Sequence, residues 1–210
     1  MLDDPVSSLD HVRRGVVADR LVALARDRQV IVFTHDISFV ADLRSTCDRE
    51  GVELSELSVE RRLSGEPGIC RPAHPWKAKD VGQRLQQLEE DVARIRRETN
   101  NWDQQMYERE TAEWAGKLSE TWERMINLEV VGQVVDRGTQ EVRPKMFRLL
   151  AQISQEDDRE FQASYAQCSR WVRRHDKSLE VNYVPPTVEE MVAALKSARA
   201  WYERVRKYRK

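Results

Sequence analysis

Two short apolar segments ending in charged tips, Leu2-Asp3-Asp4-Pro5 and Val30-Ile31-Val32-Phe33-Thr34-His35-Asp36, are separated by a single amphipathic stretch. That order constrains the fold more than any other feature of the chain. Gln29 to Thr34 is short, β-branched and uninterrupted, the pattern of a buried parallel strand. His11 to Arg28 predicts a helix, with Asp10 as N-cap and Val12, Val16, Val17, Leu21, Val22 and Leu24 on one apolar face. Strand, helix, strand places the two tips side by side, because parallel neighbours lie about 4.8 Å apart. Asp3, Asp4 and His35 are therefore expected at one sheet edge open to solvent. An acidic pair so placed can hold a metal-bound water and polarise an attacking water, and the histidine can reach a phosphate.

This order and spacing resemble the ABC-type ATPases, in particular the RecF/SMC/RloC-like group of AAA family ATPases. The resemblance implies that Asp3 is the Walker B aspartate that binds Mg2+ through water, and that Asp4 is the catalytic carboxylate. It also implies that Ser7-Ser8-Leu9-Asp10 is the D-loop, with Ser8 and Asp10 facing a second ATPase head in a homodimer, and that His35 is the switch histidine contacting the γ-phosphate of ATP. Most ABC ATPases have glutamate where this chain has Asp4, which shortens the reach of the base by one methylene. The simpler reading of the same residues is an acidic strand-end turn that caps the next helix.

No Gly-x-x-x-x-Gly-Lys-Ser/Thr phosphate loop occurs in the sequence, and Leu63-Ser64-Gly65-Glu66 follows the histidine, where a signature motif would precede Asp3. Without the loop's amides and lysine, little cradles the β- and γ-phosphates. The expectation is the C-terminal portion of a longer ATPase, able to bind ATP and Mg2+ and to hydrolyse ATP only when a missing N-terminal half completes it.

The expected fold class is α/β, a partial P-loop NTPase sheet followed by a mainly α-helical region. Residues 1–63 are expected to form the core, with Ile37 to Glu50 a helix burying Phe39, Val40 and Leu43, and Val52 to Arg62 an edge strand alternating at Leu54, Leu57 and Val59. Residues 64–75, rich in glycine and proline, form a linker. Over residues 76–129, Val81, Leu85, Leu88, Val92, Ile95, Thr99, Trp102 and Met106 repeat in steps of four and three, a heptad seam that predicts a long helix broken near Asn100-Asn101. Residues 130–210 are read as helical: 140–153, 156–174, and a last helix capped by Thr187 with Glu190 at its third position. The long helix is expected to serve as an appendage or as a pairing surface for another chain.

Charged residues make up 34% of the chain and mean hydropathy is −0.70, more polar than a compact α/β domain. The net charge of −1 gives no bulk attraction to nucleic acid or membrane, and no apolar run is long enough to cross a bilayer. Three widely spaced cysteines suit a reducing cytoplasm. Two weaker patterns remain. Arg170 and His175 resemble the Arg-x4-6-His motif of HEPN-type RNases, with a helix-capping histidine as the plainer reading. Trp201 to Lys210 interleaves aromatic and basic residues that could rest on a nucleic acid backbone, with a solvated helix end as the plainer reading. Function is thus expected to be that of an ATPase fragment in DNA repair, chromosome maintenance or phage defence. The alternatives are a non-catalytic helical interaction protein with a degenerate ATPase remnant, or an ATPase-linked RNase.

Overall fold

A computed structural model describes residues 1–60, 68–72, 76–135, 141–172 and 183–209. The chain divides into two compact units, Met1–Ala78 and Lys79–Lys210. Helices predominate, and the described residues hold two small sheets of two strands each. None of the described helices is long and apolar enough to cross a membrane.

In the first unit β1 (Leu2–Asp3) lies parallel to β2 (Val32–Phe33), with Leu2 opposite Val32 and Asp3 opposite Phe33. A parallel pair needs a crossover, and α1 (His11–Ala25) supplies it. Then α2 (Ile37–Glu50) ends at Gly51, whose φ of +64° closes the helix in the left-handed conformation that glycine adopts without cost. Val6, Ala18, Leu21, Val22, Phe39, Leu43 and Cys47 form the core, with Val30 and Val32 packed against it from the sheet.

Three expectations for this unit are corrected. Val12, Val16 and Leu24 of α1 are exposed, because the helix is rolled to bury Ala18, Leu21 and Val22 and to bring Arg14 to the start of α2. The strand 29–34 is buried on one face only: α1 and α2 pack on the side of Val32, leaving Ile31 and Phe33 44% and 47% exposed. Among the described residues of the strand predicted over 52–62, only β3 (Ser58–Glu60) is extended in a sheet; Ser58 is buried, while Val59 and the preceding Leu57 face out.

Part of the predicted linker is itself a strand. β4 (Ile69–Arg71) pairs antiparallel with β3, Cys70 opposite Val59. Residue 68 must be glycine for this approach, since a Cβ there would fall 2.4 Å from the Val59 side chain. Residues 64–67 and 73–75 of the linker, including Ser64-Gly65-Glu66, lie outside the described residues, as does Leu63.

The second unit is a helical bundle. The heptad seam forms two helices in place of one: α3 (Val81–Glu98), opened by a capping box of Asp80 and Gln83, and α4 (Gln104–Met125), capped by Asp103. A 3-10 turn at Thr99–Asn101 reverses the chain between them. The helices run antiparallel, as the hydrogen bonds from Trp114 Nε1 to the Leu88 carbonyl (3.0 Å) and from Arg84 Nη1 to the Glu120 carbonyl (3.3 Å) show. Arg94 with Glu110 and Lys117 with Asp91 flank the same seam. Burial pushes the Arg84 guanidinium down to about 10, with the positive charge of Arg124 adding to the effect.

After α4 come a π-helical turn at Ile126–Val131, α5 (Gly132–Val134), and α6 (Phe147–Gln152) preceded by a 3-10 turn at Pro144–Met146. The predicted helix over 140–153 is thus shorter, and its Phe147 and Leu150 are exposed around a buried Leu149. Two longer helices complete the bundle, α7 (Gln155–Trp171) and α8 (Val188–Lys207). Thr187 caps α8, with Glu190 returning a bond to the Thr187 amide at 2.7 Å.

Trp122 joins three of these helices. Its ring meets Trp201 of α8 at 5.5 Å and Phe161 of α7 at 5.7 Å, both edge to face. Asp157, 1% exposed, ties the start of α7 to the end of α8: it accepts from the Ser154 amide (2.9 Å), Arg204 Nε (2.8 Å) and the Tyr208 hydroxyl (3.1 Å). Burial raises its carboxyl, but these donors together outweigh that and hold its pKa below the ordinary value.

Trp122→Ala is expected to destabilise the bundle by about 3–5 kcal/mol, the cost of emptying a packed aromatic site. Five of the six tryptophans lie in the second unit, so urea unfolding followed by their fluorescence reads that unit. Because the folded pKa of Asp157 is depressed, its contribution is full above the unfolded value near 3.9 and is lost as pH falls through the folded one. As pH falls below about 4, the unfolded value, Asp157→Asn is therefore expected to lose less stability than the parent in urea unfolding.

Candidate functional site

The two parallel strands end together, and the residues that follow them meet. The Asp4 amide donates to the Phe33 carbonyl at 2.8 Å, continuing the ladder one residue past β1. At that point the backbone turns: Asp4 has a φ of +42°, and the Ser7 amide donates back to the Asp4 carbonyl at 3.2 Å. A non-glycine residue with positive φ is uncommon, and aspartate is among those that tolerate it. The turn aims the Asp4 side chain across the strand ends. Its Oδ1 accepts from the Thr34 hydroxyl (2.8 Å) and the His35 amide (3.3 Å), while Oδ2 is in contact with Nδ1 of His35.

Thr34 connects this carboxylate to the next helix, because its Oγ1 also accepts from the Asp36 amide at 3.1 Å. Asp36 caps α2 by accepting from Ser38 and Phe39 and is held by Arg14 Nη1 of α1 at 2.7 Å. Arg14 of α1 and the side chains of Asp4, Thr34 and Asp36, which follow the two strands, thus fix the geometry. Burial raises the Asp36 carboxyl, but Arg14 and the two helix amides prevail and lower it. The Asp4 carboxyl is held below the ordinary value chiefly by the Thr34 hydroxyl, with desolvation opposing and the His35 amide and ring adding.

The histidine side chain is 81% exposed, and Nε2 has no partner among the described residues. A ring whose Nδ1 is held by a carboxylate presents Nε2 to solvent as a proton acceptor or, when protonated, a donor. Asp3 is exposed, one residue before Asp4, and makes no hydrogen bond or ion pair among the described residues. Ser8 is exposed; Asp10 caps α1 by accepting from the Arg13 amide at 2.9 Å. The structure brings Asp4 and His35 into contact and sets Asp3 beside them. Thr34, Asp36 and Arg14 went unassigned by sequence reasoning. Thr34 and Asp36 flank the histidine, so a hydroxyl and a cap beside it were the available signal, whereas Arg14 lies 22 residues from its partner and left none.

Arg170 is exposed in the last turn of α7 in the second unit, and His175 lies outside the described residues, as does His74. In the aromatic and basic C-terminus, Trp201 and Tyr208 are engaged within the second unit. Trp201 is buried and donates to the Asp157 carbonyl, and the Tyr208 hydroxyl is bound to the Asp157 carboxylate. Among the described residues no three His, Cys, Asp or Glu side chains cluster as a metal cage. No family model matches the chain, and no curated protein or solved structure matches it.

Thr34→Val is expected to move the Asp4 carboxyl back up toward the ordinary range, since it removes the largest cause of the lowering. Carboxyl-carbon NMR titration of the parent and the variant checks this, and an unmoved midpoint would remove Thr34 from its positioning role.

Proposed function

We propose that the first unit carries the Walker B, D-loop and switch-histidine side of an ABC-type ATP site. On this reading the chain is the C-terminal portion of an ATPase of the RecF/SMC/RloC-like group, serving DNA repair, chromosome maintenance or phage defence. The observation that carries the proposal is the meeting of Asp4 and His35 at the ends of the parallel strands β1 and β2, with Thr34 holding the carboxylate. The exposed Ile31 and Phe33 on the outer face of the same sheet support it, because parallel sheets are ordinarily covered on both faces.

Mg2+ takes one or two carboxylates together with substrate phosphates and water, and exposed Asp3 fits as one such ligand. Bound ATP with Mg2+ would supply a γ-phosphorus open to attack. The chain's own residues have separate tasks. Asp4, ionised at neutral pH, orients the attacking water and takes up its proton; His35, exposed enough to turn away from Asp4, contacts the γ-phosphate and frees Oδ2 for that water. Ser8 and Asp10 face the partner head. The second reading is a helical interaction protein with a degenerate remnant of such a core. It is favoured by the fact that both oxygens of Asp4 are already engaged within the chain.

Calorimetry of the chain alone with ATP and Mg2+ is expected to give a Kd weaker than about 10 μM, roughly 7 kcal/mol, because the phosphate loop is missing from the sequence. Tighter binding would mean a phosphate site of another build. In protein completed by a phosphate-loop polypeptide encoded immediately upstream, Asp4→Asn is expected to slow turnover by about 10²–10⁴-fold with nucleotide binding retained. Parental turnover, or no such coding sequence, would favour the remnant.

A further inference from the structure

We infer that a groove between α3 and α8 in the second unit docks an acidic amphipathic helix of a protein partner. The groove encloses about 530 Å³ and is independent of the ATP-site reading. The two helices that wall it run antiparallel, with Arg199 against Glu89 at 2.9 Å and Arg96 near Glu189 at 3.8 Å. On α8 the wall is Val192, Leu195, Lys196 and Arg199, spaced i, i+3, i+4 and i+7; on α3 the wall repeats that spacing from Glu89. Each stripe spans about two helical turns, roughly 11 Å. Facing stripes at this spacing form the slot into which a third helix lays its apolar side.

The floor is apolar and low. Val92 and Leu195 are buried beneath it, Ala93 is small and exposed, and Val192 remains 41% exposed in the middle of a highly charged surface. The rim is cationic: Arg96, Arg97, Lys196 and Arg199 stand against the two carboxylates of Glu89 and Glu189. Arg97 and Lys196 have no ion-pair partner among the described residues. The two existing pairs on the rim are exposed and worth little, so a partner's carboxylates can replace them. A local excess of positive charge on a chain of net charge −1 selects an acidic partner.

The lining also argues against other occupants. It has no hydroxyl or amide side chain to fix the orientation of a small molecule, and no aromatic ring on which a base could stack.

The test is fluorescence polarisation with a labelled designed peptide of about 18 residues, enough to span the groove. It carries Leu and Ala at i, i+3, i+4 and i+7 and Glu on both flanks, and its twin carries Lys in place of Glu. Saturable binding of the Glu peptide is expected, at least about tenfold tighter than that of the Lys twin. Arg97→Glu with Lys196→Glu should weaken it about tenfold or more, and Ala93→Trp, which fills the floor, should abolish it, both variants keeping the parental helical circular dichroism. Absent binding, equal binding of the twins, or variants that bind like the parent would overturn the inference. So would tighter binding of a single-stranded oligothymidylate that the same charge reversals weaken, because the groove would then serve nucleic acid.

Discussion

Parallel pairing of β1 and β2 is the constraint on which the first unit depends. Two parallel strands cannot be joined by a tight turn, so the chain between them must leave the sheet, cross and return. α1 makes that crossing, and its Ala18, Leu21 and Val22 become the centre of the core. The same pairing sets Asp4 opposite the Thr34 hydroxyl and the His35 ring, because both strands run in one direction and end at one edge. A one-residue slip of register would exchange the inward-facing Val32 for Phe33 and remove the carboxylate from its donors. Core and site are therefore specified by one set of hydrogen bonds.

The second unit draws its stability from a different source. Its tryptophans interlock across α4, α7 and α8, and two of its buried indoles donate to carbonyls close in space and distant in sequence, Trp114 to Leu88 and Trp201 to Asp157. The heptad seam of α3 and the first turns of α4 is consumed inside this bundle. Since α4 folds back on α3, the apolar faces that would have paired with another chain pair with each other. The groove beside α8 is lined on α3 by Val92 of the seam together with Glu89, Ala93, Arg96 and Arg97 next to it.

Elements governed by local chemistry were legible in the sequence. Asp10 and Thr187 cap the helices they precede, α2 keeps its range with Phe39 and Leu43 inward, and Gly51 stops it. Properties set by distant partners were not legible. The apolar positions of α1 allow more than one buried face, and the choice among them is made by Arg14 reaching Asp36 and by contacts with α2. A seam in steps of four and three reads the same for one long helix and for two that fold back, and only the reversal at Thr99–Asn101 distinguishes them. Trp201 sits among basic residues in the sequence, yet it lies on the side of α8 that faces Asp157 and Trp122. In the candidate site the charged tips were visible beforehand, while the network that orients them depended on a hydroxyl and an arginine whose partners lie 30 and 22 residues away.

The positive φ of Asp4 bears on why this position holds the shorter acid. Left-handed backbone is disfavoured for L-residues by about 1–2 kcal/mol, and aspartate and asparagine escape part of that penalty because their short polar side chains bond locally. A glutamate here would carry its carboxylate one carbon farther from Thr34 and would lose that local relief. Evolution toward the longer acid would then require the backbone to relax first, a change reaching Pro5 and the turn to Ser7. The turn and the acid are thus coupled through one backbone angle, and substitutions in one are expected to be tolerated only alongside compensating changes in the other.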